Sequence, residues 1–107
     1  MTLDDILKEL EQGDVLPARA ADLLIFVSAL YGRAADMYIK KNAEYAREFN
    51  SKRPDYKSVA ATERDLDATD LGIEKHYWKY QIKKCEQVSK ALNTLVYLRT
   101  AEAKNQV

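Results

Sequence analysis

Glycine, proline and cysteine are scarce in this chain of 107 residues, which contains three Gly, two Pro and one Cys. Proteins built mainly of β-strands use Gly and Pro at their many turns, so this scarcity favours a few long helices. A single cysteine excludes an internal disulfide, and no apolar run precedes a cleavage-like site at the N-terminus. Both observations predict a cytoplasmic protein. The most apolar run, 23–30, is far shorter than the roughly 20 residues that cross a bilayer, so no membrane partner is expected.

Patterns typical of catalytic and cofactor sites are also missing. The sequence has no Gly-rich phosphate loop, no paired Cys ligands and no nucleophile elbow. Its only histidine, His76, has no Cys or Ser close by, and Cys85 lies nine residues further along the same predicted helix. A nucleophile, a base and an orienting group must converge in an active site, and these residues do not. We therefore predict that the protein is not an enzyme and needs no cofactor, and that Cys85 is a core residue.

Charge is plentiful but balanced, with 17 basic and 17 acidic residues and a formal net charge of zero. No overall field therefore attracts the chain to nucleic acid or to a membrane surface. The charges alternate in blocks along the chain. Segments 1–16 and 58–74 are mainly acidic, whereas segments 40–57 and 75–90 are mainly basic.

Apolar residues recur at helical spacing, which predicts an all-α fold. We expect a short helix over about 3–12 and two long helices over about 17–50 and 56–104, joined by a turn at about 50–55. The long helices form an antiparallel, coiled-coil-like hairpin in this prediction. All of residues 1–107 are expected to belong to one domain.

Capping residues support these boundaries. Thr2 is suited to begin the first helix and Gly13 to end it, and Pro17 is suited to the first turn of the second helix. Pro54 interrupts the helical pattern, after which Asp55 or Ser58 can cap the third helix.

Two apolar stripes run along the predicted third helix. The first stripe is Leu66, Ile73, Tyr77, Tyr80, Val88, Ala91, Leu95 and Leu98, and the second is Leu71, Trp78, Ile82, Cys85, Leu92 and Val96. A bare hairpin buries only one side of each helix, and the first helix is too short to cover the rest of the second stripe. We therefore expect a homodimer that buries this stripe and completes a four-helix core.

Pairing the long helices about the turn places Tyr38 near Asp67, and Tyr45 near Ala60. Tyr31, Tyr38 and Tyr45 repeat every seven residues, so their rings are expected in the seam with hydroxyls reaching Asp67 or Glu74. The same pairing sets Gly32 opposite Gly72. These two glycines either allow close approach at a helix crossing or form a shared bend.

An acidic row is predicted on one face of the third helix. Its members are Glu63, Asp67, Asp70 and Glu74, and with Asp36 or Glu44 they could bind a divalent cation. Di-iron bundles need Glu-x-x-His pairs, and His76 follows Glu74 one residue too early. The alternative is a solvated acidic face paired with Arg33, Lys40 or Lys41. No metal site is predicted, and a metal-dependent activity is kept as a third hypothesis.

A basic row lies beside aromatic residues on the third helix. Lys75, Lys79, Lys83 and Lys90 accompany Tyr77, Trp78 and Tyr80. Lysine beside exposed aromatic rings is typical of single-stranded nucleic-acid binding. The same aromatic residues also belong to the apolar stripes, which indicates core positions instead.

A family resemblance rests on three segments: 38–49, the stretch SVAATERDLDATD at 58–70, and KHYWKYQIKKCEQVSKALNTL at 75–95. Over about residues 35–104 the pattern resembles small helical-hairpin proteins of unknown function encoded in the early, recombination-linked regions of tailed bacteriophages. The resemblance implies a setting, the cytoplasm of a bacterial host, and implies no functional residues.

These observations together predict a non-enzymatic helical module that binds another protein, such as a phage-encoded inhibitor or assembly accessory. The expected partner-binding residues are His76, Trp78, Lys79 and Lys83, together with Arg33 and Lys40. The alternative is a single-stranded nucleic-acid-binding accessory of recombination or replication.

Overall fold

The computed structural model describes the backbone of residues 1–105 and the side chains of residues 1–97. The described residues form four α-helices and no strand, which confirms the all-α prediction. The helices are α1 (Leu3–Gln12), α2 (Pro17–Lys52), α3 (Val59–Asp67) and α4 (Asp70–Asn105), and a 3-10 turn at Arg53–Asp55 follows α2. Within the described part of the chain, no helix is long and apolar enough to span a membrane.

The expected capping residues occupy their positions. The Asp5 amide donates to the Thr2 hydroxyl at 3.2 Å, and the Thr2 amide donates to the Asp5 carboxylate at 2.9 Å, which forms a capping box. These bonds hold the pKa of Asp5 below its usual value. Gly13 ends α1 with a φ of 77°, a conformation that favours glycine, and Pro17 begins α2. Ser58 begins α3 by accepting a hydrogen bond from the Ala61 amide at 3.1 Å.

The prediction of one unbroken helix over 56–104 is wrong, because the chain leaves the helical path after Asp67. The Thr69 amide and hydroxyl both donate to the Leu66 carbonyl, at 3.0 Å and 2.5 Å. The same hydroxyl accepts from the Gly72 amide at 3.3 Å. Thr69 therefore helps end α3 and begin α4, since its side chain offers the backbone an alternative to continued helix.

Gly72 makes this break possible. A Cβ atom at Gly72 would lie 2.2 Å from the Leu66 carbonyl oxygen and 2.7 Å from the Asp67 Cα. Gly32 has nothing within 4 Å of the corresponding position. The two glycines therefore do not share a close approach: Gly72 fits the turn between α3 and α4, and the space beside Gly32 is open.

The chain divides into two compact units, each of which receives part of α2 and part of α4. The first unit contains Met1–Gly32 and the chain from Lys83 onward, and its core has contributions from three helices. The core residues are Leu3, Ile6, Val15, Ala20, Leu23, Val27, Cys85, Val88 and Leu92. Burial of Leu3 and Ile6 in this core explains how a helix as short as α1 is held in place.

Packing in the first unit buries part of the surface that was expected to form the dimer. Cys85 and Leu92, from the second predicted stripe, have no exposed surface, and Val96 packs against the same cluster. That part of the stripe is covered within the chain and cannot bind a second copy. Leu98, from the first stripe, lies outside the described side chains.

The second unit, Arg33–Ile82, contains the end of α2, all of α3 and the start of α4. Its buried residues are Ala34, Tyr45, Thr62, Leu66 and Gly72. The Tyr45 hydroxyl, and not that of Tyr38, donates to the Asp67 carboxylate. The predicted pairing is therefore wrong by seven residues, or two turns. The connection between α2 and α3 occupies residues 53–58 and so lies later in the chain than the predicted turn at about 50–55.

Candidate interaction surface

A polar cluster around Tyr45 joins α2, α3 and α4 in the second unit. The Tyr45 hydroxyl donates to Asp67 Oδ1 at 2.8 Å, and His76 Nε2 lies 3.4 Å from the same oxygen. Lys75 Nζ lies 3.9 Å from the centre of the Tyr45 ring, in a cation–π contact. Burial, and then the hydrogen bond to Asp67, raise the pKa of Tyr45 to about 12. The phenol therefore stays neutral at physiological pH and acts as a hydrogen-bond donor.

An ion-pair group adjoins this cluster. Lys41 Nζ lies 2.7 Å from the Glu74 carboxylate and 3.5 Å from that of Glu44. The hydrogen bond to Glu74 raises the pKa of Lys41. Lys41 is one of the three basic residues that, from the sequence, could pair with the acidic row. Together with the Tyr45 cluster, this pair fixes which side of α4 faces α2 in the second unit.

Beside these contacts, α4 exposes an apolar surface, which we call the aromatic face and define as Ile73, Tyr77 and Tyr80. Their exposed fractions are 57%, 52% and 57%, and their spacing of four and three residues places them on one side of the helix. Leu71, Trp78 and Ile82 are instead half-buried. Of the first stripe, Leu66 is buried in this unit, whereas Ile73, Tyr77 and Tyr80 are exposed. The contacts of Lys41 and Tyr45 turn the second stripe inward on α4.

The predicted partner-binding residues fall on different surfaces. His76 and Lys79 are exposed beside the aromatic face. Trp78 lies two residues after His76, on the other side of α4, where its ring meets Tyr77 edge-on with centroids 5.0 Å apart. Arg33 and Lys40 are exposed on α2. Lys83 belongs to the first unit.

The predicted basic row is not continuous in either unit. Lys75 is engaged with the Tyr45 ring, and only Lys79 accompanies the aromatic face in the second unit. Lys83 and Lys90 belong to the first unit. For the alternative prediction of nucleic-acid binding, the second unit offers two exposed tyrosine rings and one adjacent lysine.

The predicted acidic row is interrupted by the turn between α3 and α4. Glu63 and Asp67 lie on α3, whereas Asp70 and Glu74 lie on α4, so the four carboxylates do not share one helical face. Among the described residues, no three His, Cys, Asp or Glu side chains come together as a metal site.

The first unit offers little that resembles a reactive site in its described residues. Cys85 is fully buried, and burial raises the pKa of its thiol, as expected for a core cysteine. An open groove of about 350 Å³ is lined by Ser28, Tyr31, Glu86, Ser89 and Lys90. Arg19 pairs with Glu9 beside the α1–α2 connection and lowers the pKa of that carboxylate.

The sequence offers no clear signal for the aromatic face. His76 interrupts the first stripe between Ile73 and Tyr80, and Lys75 interrupts the second stripe between Leu71 and Trp78. A polar residue inside an apolar stripe indicates a solvated side, and here both stripes contain one. No family model, curated protein or solved structure matches this chain.

Proposed function

We propose that this chain is a non-enzymatic helical interaction module that binds another protein through the aromatic face of α4. The observation behind the proposal is the exposure of Ile73, Tyr77 and Tyr80 on a helix whose other side is held by Tyr45 and Lys41. Each of these side chains is about half exposed and so forfeits roughly 1 kcal/mol of burial energy. A docked partner restores that energy.

The composition and setting of the face support a protein partner. Tyrosine is enriched among the residues that dominate protein interfaces, and a rigid helix loses little conformational freedom on binding. Exposed His76 and Lys79 supply a polar rim beside the apolar centre. The phage-like sequence pattern favours an inhibitor or assembly accessory acting in the cytoplasm of a bacterial host.

A photo-reactive amino acid at position 77 tests the proposal in cells that produce the protein. The matched control places the same group at Glu48, an exposed α2 position in the same unit. We expect a discrete cross-linked species with the probe at position 77 and none at position 48. Equal cross-linking at both positions, or none at either, would contradict the aromatic face as the docking surface.

A second candidate function is single-stranded nucleic-acid binding, favoured by the exposed Tyr77 and Tyr80 rings beside Lys79. Stacking of bases on aromatic rings is tolerant of sequence, and its phosphate contacts weaken with salt. Fluorescence anisotropy with labelled oligonucleotides at low and moderate salt measures this directly. Salt-sensitive binding that is lost in Tyr77→Ala would favour it over a protein partner, and absence of binding at both salts would exclude it.

A further inference from the structure

We draw no further inference here: the strongest candidate, the open groove between α2 and α4 of the first unit that is lined by Ser28, Tyr31, Glu86, Ser89 and Lys90, carries none because none of these side chains is buried and nothing in the described part of the chain shows what would fill it.

Discussion

The two units of the chain are stabilised in different ways. In the first unit, residues such as Ile6, Leu23 and Leu92 are completely buried in one apolar cluster drawn from α1, α2 and α4. In the second unit, the buried set is small and includes Thr62 and Tyr45. Its helices are joined instead by the Tyr45–Asp67 hydrogen bond, ion pairs and a close turn at Gly72.

The two units therefore use their apolar residues differently. The first unit buries a cluster of them in its core, whereas the second unit leaves several exposed on α4, where they are available for binding. The first unit buries Ile6, Leu23 and Leu92 in one apolar core, and this burial is its main source of stability. The second unit leaves Ile73 and Tyr77 exposed while polar contacts hold the other side of α4. Polar contacts on a partly solvated surface contribute less than core burial, and they determine which side of a helix faces outward.

The largest effect should come from the core of the first unit. Leu92→Ala removes a fully buried side chain from the cluster and should lower the free energy of unfolding by about 2–5 kcal/mol. Urea denaturation followed by circular dichroism measures the change. Ile73→Ala removes a similar aliphatic side chain from an exposed position and should change stability by less than about 0.5 kcal/mol. Equal losses of stability from the two substitutions would contradict this difference between the two units.

Substitution of the two glycines by alanine should give the next largest changes in stability, with opposite signs. Gly72→Ala forces a Cβ against the Leu66 carbonyl and should destabilise the protein by roughly 1–3 kcal/mol. Gly32→Ala meets open space in a helix interior and should stabilise the protein by up to about 1 kcal/mol. Thermal unfolding of the two variants measures both changes. A stabilising Gly72→Ala would show that the α3–α4 turn does not depend on close packing.

Local signals in the sequence were sufficient for most helix ends. Thr2, Gly13, Pro17 and Ser58 act within a few residues of their own position, so their roles follow from side-chain chemistry alone. The break at Thr69 was missed because a threonine after a run of helix formers is common inside helices. Only the approach of Gly72 to the Leu66 backbone distinguishes this position, and that contact depends on the path of the chain.

The candidate surface was harder to predict, because two stripes of similar apolar content compete for one core. Periodicity identified both stripes but could not decide which of Tyr77 and Trp78 faces inward. That choice depends on the contacts of Lys41 and Tyr45 with α4, which the predicted pairing placed about three to four turns away. A pairing counted about the wrong turn and along an unbroken third helix could not recover them.

The polar contacts of the second unit should give a smaller, pH-dependent effect. Tyr45→Phe removes the hydroxyl that donates to Asp67 and should lower stability at neutral pH by about 1 kcal/mol. The pKa of Tyr45 is raised from 10.0 to about 12, so folding favours the neutral phenol. Its contribution is therefore fully present below about pH 10 and is lost as the pH rises through about 12.

Unfolding curves of the wild type and Tyr45→Phe across this pH range should converge as the pH rises. Tyr97→Phe, at an exposed position on α4, serves as the control and should follow the wild type. If the difference in stability between wild type and Tyr45→Phe stayed constant up to pH 12, the hydroxyl would stabilise the protein through packing and not through its hydrogen bond to Asp67.

The smallest effect should come from the ion pair between Lys41 and Glu74. Lys41→Met keeps the apolar part of the side chain and removes the charge, so only the pair is tested. Because Glu74 is half exposed, solvent screens the attraction, and the loss of stability should be less than that of Tyr45→Phe and should vanish at about 1 M salt. A larger loss that persists in salt would mean that ion pairing, and not the Tyr45 cluster, sets the rotation of α4. The aromatic face would then be exposed only while Lys41 holds its charge, and raising the pH past the elevated pKa of Lys41 would close it.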